Sequence, residues 1–596
     1  MSRAVAGSVF VDPQEFLPPP LPWNGASEAL IAGREDPWIT PGERSGLQQS
    51  PSYAETVAYL EKLCAASPWL TLVEFGRSAQ GRLLYVVVVS KEKFATAEAL
   101  RSSGKPILLA QAGIHSGEID GKDAGLMLLR DIAFRGKDAL LNAAHFLFIP
   151  ILSVDGHERS SPWARPNQRG PVEMGWRTTA QNLNLNRDYV KADAPEMRAL
   201  IALLNHWQPS LCLDLHVTDG LDYQYDVTYT FHGANDSFAW SPGSGRWLQD
   251  ILDPALDQAL KNQGHLPANV YIDSRNGRDL TDGIVGGHAS ARFSQGYGDL
   301  RGIPTVLVET HSLKTHRQRV LGTYVVLETA LLALGAHGAT LQTAIETDHA
   351  ARPPTIPSRW TPSEDHRTID FLGISHEHYV SPASGATEVR WTGQPKLYPR
   401  LPVYTDRPGI AFARPKAYWV PVTKPEVIDR LKLHGLAMET LTEATTVKVE
   451  CYRLVNPQPR PGEGFHPFES RHTLTTAVSV ESRLETFPRG SVRVPTDQPL
   501  GSLLVLMLEP ESEDSLLSWG FFSEILQRSE YIEGYVVAPM AEKMLQHDPA
   551  LRAEFEAKLA ADPAFTADPK ARLTWFYQRS PFYDDRFLLY PVGIER

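Results

Sequence analysis

Three apolar runs in the first half of the chain each end in polar residues. They cover residues 106–110, 211–215 and 304–308 and consist largely of Leu, Ile and Val. Runs this short and this apolar predict strands that are buried on both faces. Segments with helical patterns separate the strand-like runs, from 53–65 to the apolar stretch 324–334. This alternation predicts an α/β fold in which helices cover a mostly parallel sheet.

The pattern changes near residue 350, where Arg352 is followed by Pro353, Pro354 and Pro357. Proline clusters interrupt regular structure, so this stretch predicts a linker. We therefore expect an irregular extension at 1–48, a main α/β domain at 49–345, a linker at 346–372 and an accessory domain at 373–596. The accessory part is expected to be β-rich or α+β, with helices at 424–434, 515–526 and 541–561. Gly435 would end the first of these helices.

The polar residues after the first two apolar runs have the chemistry of metal ligands. His115 and Glu118 follow the first run, and His216 follows the second. Ligands gather at the carboxyl ends of the strands in a parallel sheet, so these side chains can converge. Two imidazoles and one carboxylate suit zinc and leave a fourth position for water, which is typical of a catalytic site. Read alone, His115 and Glu118 would more often be two surface residues, and His216 would more often be a hydrogen-bonded core histidine.

Further candidate residues follow the same logic. Glu309 ends the third apolar run, where it could take a proton from water and pass one to a leaving amine. Asn186 and Arg187 are adjacent, and an amide with a guanidinium suits a carboxylate. Arg177, in a separate loop, could stabilise an oxyanion. The alternatives are a strand-end carboxylate paired with arginine for Glu309, a local ion pair for Arg187 and solvation for Arg177.

Composition narrows the partners. The 596 residues carry a net charge of −12, which argues against nucleic acid as a partner because phosphate binding favours a basic face. Three cysteines cannot form a disulfide framework. The amino-terminal residues lack the apolar core of a signal peptide. No apolar run is long enough to predict a transmembrane helix. We expect a cytoplasmic protein, or a periplasmic or secreted one if the native amino terminus was trimmed.

Taken together, these segments resemble the zinc carboxypeptidase family of carboxypeptidases A and B, as a bacterial-type member with a C-terminal accessory domain. The resemblance covers about residues 50–340 and implies a mixed, mostly parallel eight-stranded sheet. It implies one zinc ion per chain, held by His115, Glu118 and His216. It also implies that Glu309 is the general base, that Arg177 stabilises the transition state, and that Asn186 and Arg187 bind the substrate's terminal carboxylate.

The chain also departs from the family. Gly117 stands where animal digestive members carry an arginine, so a secondary subsite should differ. Tyr297 is the nearest candidate for the family's mobile tyrosine. Arg292, Gln295 and Asp299 lie near the region that forms the pocket for the last side chain. A basic cluster after Glu309 is expected to be a solvated helix face; its members are His311, Lys314, His316, Arg317 and Arg319.

The sequence therefore predicts a zinc-dependent metallocarboxypeptidase that hydrolyses C-terminal peptide bonds of substrates with a free carboxylate. An amidohydrolase that acts on cell-wall peptides or N-acyl amino acids would use the same residues and remains the first alternative. A peptide-binding module without activity is the second. The accessory domain could direct the enzyme to a protein or glycan, although its tryptophans are equally consistent with a core. The preferred last residue and the oligomeric state stay open.

Overall fold

The computed structural model describes residues 13–92, 96–277, 279–459, 471, 473–528 and 530–596. The strands are β1 (Leu70–Arg77), β2 (Leu83–Val89), β3 (Ile107–Ala112), β4 (His145–Ile149), β5 (Leu211–Val217), β6 (Val227–Thr230), β7 (Pro267–Asn269), β8 (Asp273–Ser274), β9 (Ile284–Gly286), β10 (Thr305–Thr310), β11 (Thr355–Val380), β12 (Thr387–Ala413), β13 (Ala417–Val420), β14 (Glu439–Thr440), β15 (Thr445–Pro459), β16 (Leu474–Phe487), β17 (Val492–Pro495) and β18 (Gly593–Glu595).

The α-helices are α1 (Pro13–Phe16), α2 (Pro41–Arg44), α3 (Tyr53–Ala66), α4 (Ala97–Ser102), α5 (Asp120–Phe134), α6 (Val154–Glu158), α7 (Pro195–Trp207), α8 (Pro242–Trp247), α9 (Asp253–Asn262), α10 (Ser294–Leu300), α11 (His316–Ala350), α12 (Pro425–Leu433), α13 (Gly501–Leu508), α14 (Gly534–His547), α15 (Pro549–Ala561), α16 (Pro563–Ala567) and α17 (Pro569–Tyr577). Short 3-10 turns connect several of these elements.

The main sheet has eight strands in the order β1-β2-β4-β3-β5-β10-β6-β7. Its central strands β4, β3, β5 and β10 are parallel, whereas β2 and β6 run antiparallel to their neighbours β4 and β10. The three apolar runs form β3, β5 and β10, as predicted. Every residue of β3 and β5 is buried, because helices cover both faces of the sheet. The predicted fold, a mixed and mostly parallel α/β sheet, is confirmed.

Helix α11 is the long core helix of this domain and contains the predicted segment 324–334. It begins after Thr315, whose side chain accepts a hydrogen bond from the Gln318 backbone N–H. By length and composition α11 could cross a membrane, but 72% of its most apolar stretch is buried inside the protein. That burial is the pattern of a core helix in a globular protein.

The basic cluster around the start of α11 is not the solvated face that we expected. His311, Lys314, His316 and Arg319 are all buried. Each has acceptors: Lys314 donates to the Tyr223 carbonyl oxygen at 2.6 Å, and His316 Nε2 lies 3.0 Å from Asp123 Oδ2. Arg317 is the one of the five that is only half-buried, and it pairs with Glu28. The cluster therefore braces loops at the start of the helix, since buried charges need partners.

The accessory part is built mainly on two further sheets, of four strands (β11-β12-β9-β8) and six strands (β14-β17-β13-β18-β15-β16). A β-rich C-terminal part is confirmed. The linker predicted at 346–372 is wrong as secondary structure, because α11 continues to Ala350 and β11 begins at Thr355. The domain boundaries themselves stay a prediction. The hairpin β11–β12 pairs with β9 of the main domain, so it lies against that domain.

Of the three helices predicted in the accessory part, one is present, one is absent and one is divided in two. Helix α12 ends before Gly435, which has a φ of +86°, as predicted. The stretch 515–526 is not a helix; it contains only a 3-10 turn at Ser523–Leu526, and the nearby helix is α13. The stretch 541–561 is split into α14 and α15, because the Asp548 side chain caps α15 and Pro549 begins it.

Candidate active site

The three predicted metal ligands meet at the carboxyl ends of β3 and β5. His115 and Glu118 lie in the connection between β3 and α5, and His216 lies in β5. One potential ligand atom from each lies within 4.8 Å of the others, and all three side chains are buried. Glu118 is central, with Oε1 3.0 Å from His115 Nδ1 and Oε2 2.9 Å from His216 Nδ1.

Hydrogen bonds on the far side of each ring fix the tautomers. His115 Nε2 lies 3.1 Å from Asn184 Oδ1, which also accepts the Asn186 backbone N–H and must therefore be the amide oxygen. His216 Nε2 lies 2.9 Å from Asp214 Oδ2. Both Nε2 atoms therefore carry hydrogen and donate it, and in the neutral rings both Nδ1 lone pairs face Glu118.

This arrangement tests whether a metal ion suits the site. Two imidazole lone pairs and a carboxylate that point at one another repel unless a proton or a cation lies between them. Burial lowers the pKa of His115 to about 3, so that ring is neutral. Asp214 and Glu118 raise the pKa of His216 despite its burial, so a proton on His216 takes the position between Nδ1 and Glu118 when no cation does. Two nitrogen donors and one oxygen donor, each oriented by a second hydrogen bond, fit zinc. Asp214 and Asn184 are supporting residues that the sequence interpretation missed.

An unpredicted arginine also contacts Glu118. Arg165 NH1 lies 2.9 Å from Glu118 Oε1, and Arg165 NH2 lies 3.2 Å from Asp219 Oδ1. The Arg165 side chain crosses Gly117, where a Cβ atom would lie 2.4 Å from Arg165 Cδ. Gly117 thus leaves room for an arginine supplied by a distant loop. No local pattern around residue 165 indicates this contact.

Glu309 lies beside the metal-ligand cluster on the same face of the sheet. In the strand register it stands opposite His216 of β5 on one side and Thr228 of β6 on the other. Its Oε2 atom is buried and has no hydrogen-bond partner among the described residues. Burial, with smaller contributions from carboxylates such as Glu118, raises the pKa of Glu309 to about 8. The carboxyl group therefore has an oxygen available for a ligand or water.

The predicted carboxylate clamp lies on a 3-10 turn at Leu185–Arg187 that Asn184 caps. Asn186 is buried, and its Oδ1 has no partner among the residues that the structure describes. The Arg187 guanidinium packs 4.3 Å from the centre of the Phe293 ring and donates to the Asn186 carbonyl oxygen at 2.8 Å. Arg177 lies on the metal side, with NH1 3.3 Å from Glu118 Oε1. Of the two predicted arginines, Arg177 therefore contacts the metal-ligand cluster directly.

A tyrosine near this site is Tyr271, not Tyr297. Tyr297 is 1% exposed and hydrogen-bonds to His434 and Arg301 in the core, which makes the sequence-based candidate wrong. Tyr271 lies between β7 and β8 and is 42% exposed. Desolvation of the phenol and the charge of Glu309 raise the pKa of Tyr271, whereas the charge of Arg187 acts to lower it. The charges of Glu309 and Arg187 therefore both act on this phenol.

The three residues considered for the specificity pocket separate in the structure. Arg292 turns away and pairs with Asp514 at 2.7 Å. The Asp299 carboxylate is fully engaged by the His232 ring and by the backbone N–H groups of Trp240 and Ser241. Gln295 alone lines a cavity beside Tyr271.

Comparison with known proteins gives a family similarity for part of the chain. Residues 56–299 match the model of the zinc carboxypeptidase family. This part of the chain is similar to the zinc carboxypeptidase family. The family match makes the protein a metallocarboxypeptidase by class, that is, a hydrolase of peptides. The match ends before Glu309, so the case for that residue depends on its geometry.

Relatives whose names state an activity share less than a quarter of their residues with this chain. Carboxypeptidase 2 of Trichophyton rubrum is 23% identical over 490 residues, which cover 79% of this chain and 84% of that protein. Carboxypeptidase 2 of Trichophyton equinum is 22% identical over 503 residues, with 81% and 86% covered. Among solved structures, a metallo-carboxypeptidase from Burkholderia cenocepacia aligns with a TM-score of 0.35, 16% identity and coverage of 48% of this chain and 70% of its own. Carboxypeptidase A from Helicoverpa armigera aligns with a TM-score of 0.36 and 16% identity, and the alignment covers 49% of this chain and 75% of that chain.

Proposed function

We propose that the protein is a zinc-dependent carboxypeptidase that removes the last residue from peptides with a free C-terminal carboxylate. The observation that carries the proposal is the convergence of His115, Glu118 and His216 within 4.8 Å beside the unpartnered oxygen of Glu309. Zinc would be held by those three side chains, one ion per chain. The names of the fungal relatives, carboxypeptidase 2, support the same activity.

Zinc in such a site supplies a more acidic water, with a pKa of about 7, and a polarised carbonyl group. The chain's own residues would do the rest. Glu309 Oε2 would accept a proton from the attacking water and later deliver it to the leaving amine. The raised pKa of Glu309 supports this role, because the carboxyl can hold the proton between the two transfers. A cation beside it would favour the charged form before the reaction begins.

Binding and charge stabilisation would fall to other side chains. Arg187 would pair with the terminal carboxylate, and Asn186 would donate an amide hydrogen to it, which restricts cleavage to the chain end. Arg177 would donate to the oxyanion that develops at the scissile carbonyl. Tyr271, on whose phenol the charges of Glu309 and Arg187 both act, would cover the substrate between these two groups.

The proposed base can be tested by Glu309→Gln. Glutamine keeps the shape of the side chain but cannot accept the proton, so turnover of a C-terminal dipeptide substrate should fall by roughly 100- to 10,000-fold. Zinc content, measured by plasma mass spectrometry, should stay near one ion per chain because Glu309 is not a proposed ligand. Glu61→Gln, on the exposed side of α3, is the matched control. Full activity in Glu309→Gln would refute the assignment.

A further inference from the structure

A large cavity lies at the amino-terminal ends of the central strands, at the opposite edge of the sheet from the candidate active site. Its volume is about 1140 Å³, and Pro106, Ser210 and Ile303, just before β3, β5 and β10, belong to its lining. The metal-ligand cluster lies at the carboxyl ends of β3 and β5, which have six and seven residues. Since a strand rises about 3.3 Å per residue, roughly 20 Å separates the two places. The cavity is therefore distinct from the candidate active site.

Both halves of the chain form the walls of this cavity. The main domain supplies the end of α7, the turn after α10 and the second half of α11, and the accessory part supplies Gly435, Ala437 and residues 498–500. Arg301, in the turn after α10, joins the halves directly, because its NH1 donates to the His434 carbonyl oxygen at 2.9 Å. A ligand in the cavity would therefore contact both halves.

Arg301 is a buried charge without a counter-charge. Its side chain lines the cavity although the residue is only 8% exposed. Its guanidinium donates to three uncharged acceptors, which are the Tyr297 hydroxyl at 2.9 Å, the His434 carbonyl oxygen at 2.9 Å and the Asn205 amide oxygen at 2.5 Å. Within the described ranges no carboxylate pairs with Arg301, and its buried Nε–H has no acceptor. Because an unpaired buried charge is costly, this arrangement points to an anion that shares the cavity.

The surroundings hold Arg301 in place beside the cavity. His349 Nε2 lies 3.0 Å from the Arg301 carbonyl oxygen, so this nitrogen carries hydrogen and donates it. Gly302 makes room for the ring, since a Cβ atom there would lie 2.2 Å from His349 Nε2. The His349 ring also lines the cavity. The turn that carries the guanidinium is thus fixed from the side of α11.

Positive side chains outnumber negative ones in the lining. Among the described lining residues the cations are Arg101, Lys105 and Arg301, and the one carboxylate is that of Glu346. Glu92 balances Lys105 at 2.9 Å, which leaves two guanidinium groups against Glu346. A wall with this balance of charge attracts an anion.

The uncharged part of the lining is mainly aliphatic. Its apolar side chains include Ile107, Leu204, Ile303, Ile345 and Leu500, and the described lining contains no phenylalanine, tyrosine or tryptophan. A volume of about 1140 Å³ far exceeds that of one small ion and is similar to pockets for organic ligands, which measure about 300–1,000 Å³. An aliphatic chain attached to the anion would fill the space that an inorganic ion leaves open.

We propose that this cavity binds an organic anion with an aliphatic chain, whose oxyanion head lies beside Arg301 and whose chain lies along the aliphatic walls. Fatty carboxylates and alkyl phosphates share this chemistry. The ligand supplies the counter-charge that Arg301 lacks, and it stabilises the junction between the halves because both contribute to its site. The inference goes beyond the proposed carboxypeptidase function and does not depend on it.

The test measures binding of hexanoate and hexyl phosphate to the full chain by calorimetry. Hexanamide lacks the charge and inorganic phosphate lacks the chain, so each should bind at least about tenfold more weakly than its organic anion. Both organic anions should also raise the Tm, because they bind the folded protein. The tighter of the two identifies the head group that the site prefers.

Two variants address the head and the chain separately. Arg301→Gln removes the charge, and Thr343→Trp fills the cavity from α11 while leaving Arg301 in place. Each should weaken binding of the organic anions by about tenfold or more. Thr343→Trp keeps the test decisive if Arg301→Gln does not fold. Thr347→Trp, one turn further along α11 and outside the lining, is the matched control and should bind like the wild type.

A carboxylate could also bind at the candidate clamp, so the titrations include Arg187→Ala. Hexanoate affinity that falls in Arg187→Ala but not in Thr343→Trp would place the ligand in the candidate active site and overturn the proposal. Equal binding of hexanamide would exclude a role for the charge, and equal binding of inorganic phosphate would exclude one for the aliphatic walls. Neither heat nor a Tm shift with either organic anion at millimolar concentration would refute the site.

Discussion

Asp214 determines which nitrogen of His216 faces the metal position. It accepts from His216 Nε2 at 2.9 Å, and its other oxygen accepts from Gln111 at 2.9 Å. Asp214 is fully buried, so it does not adjust to solvent. A carboxylate in this position holds the ring and increases the basicity of Nδ1.

Replacing Asp214 by Ala should therefore weaken zinc binding without removing a ligand. We expect the dissociation constant for zinc to rise by about 10- to 100-fold, as measured by competition with a chromophoric chelator. Cys212→Ala is a suitable control, because Cys212 is buried in the same strand but does not contact His216. Unchanged affinity in the Asp214 variant would show that the His216 ring is oriented by packing alone.

Replacing Arg187 by Ala tests the clamp. The variant should lose its preference for free carboxylates: KM for a peptide acid should rise by about tenfold or more, while slow cleavage of the matching C-terminal amide should change little. Steady-state kinetics on the acid and amide pair provide the measurement. Equal losses on both substrates would indicate that Arg187 acts only through its packing on Phe293.

Local spacing explains which site residues could be predicted. His115 and Glu118 are three residues apart in one connection, and the pair Asn186–Arg187 is contiguous, so short patterns contain them. Asp214 was within reach too, because residues two apart on a strand share a face. Arg165 and Tyr271 come from long loops whose paths depend on tertiary contacts, and no sequence period encodes such contacts.

At the scale of elements, the extension before α3 is fixed to the domain through a buried ion pair. Glu43 of α2 and Arg130 of α5 are both fully buried at the side-chain level, 2.5 Å apart. Glu43 also accepts the backbone N–H groups of Ala32 and Thr40, each at 2.9 Å. Beside them, the rings of Trp38 and Phe134 stack at 3.9 Å. The extension is thus packed against the domain.

Removing one partner of this pair should destabilise the protein strongly. Glu43→Leu leaves the Arg130 charge buried with only Asp131 nearby, and we expect a loss of roughly 3–5 kcal/mol in the free energy of unfolding. The double variant Glu43→Leu, Arg130→Met should recover part of this loss, because the Arg130 charge is gone and Asp131 keeps Arg135 NH1 at 3.6 Å as a partner. Urea unfolding followed by tryptophan fluorescence measures both. A double variant as unstable as the single one would argue against the ion-pair explanation.

Elements with uniform burial were predictable, and elements at edges were not. Strands β3, β5 and β10 are buried along almost their whole length because both faces are covered, and most of their residues are therefore apolar. Strand β11, in contrast, contains Pro357, which together with Pro353 and Pro354 suggested a linker. It is an edge strand of its sheet, where a missing backbone N–H on the open side costs no ladder hydrogen bond. Proline there is compatible with a strand of 26 residues.

At the scale of the whole molecule, the two halves share one hydrophobic core. Leu200 and Leu204 of α7 belong to the same buried cluster as Val427 and Leu431 of α12. His434, just after α12, joins the halves by hydrogen bonds: its Nε2 lies 2.9 Å from the Val190 carbonyl oxygen and its Nδ1 lies 2.7 Å from the Tyr297 hydroxyl. Sequence patterns predicted the C-terminal part as β-rich but gave no indication of this shared core, because both contact surfaces read as ordinary amphipathic faces.

The junction at His434 predicts a specific dependence of stability on pH. Burial lowers the pKa of His434 to about 3, against 6.5 for an unperturbed histidine. The folded protein therefore keeps this ring neutral, whereas the unfolded chain binds a proton below about pH 6.5. The contribution of His434 to stability is complete above that pH and should decrease by about 1.4 kcal/mol per pH unit as the pH falls toward 3.

The variant His434→Gln lacks the titrating imidazole. The difference in pH dependence between variant and wild type therefore reports the proton uptake of His434 alone. Between pH 6 and pH 4.5 the free energy of unfolding of the variant should decrease less steeply, by about 1.4 kcal/mol per pH unit, even if the variant is less stable at pH 7. Urea unfolding at several pH values measures both slopes. His547→Gln, at an exposed helix end, should leave the wild-type slope unchanged. Parallel slopes for wild type and His434→Gln would mean that the junction admits a proton, and that the two halves separate before the molecule unfolds.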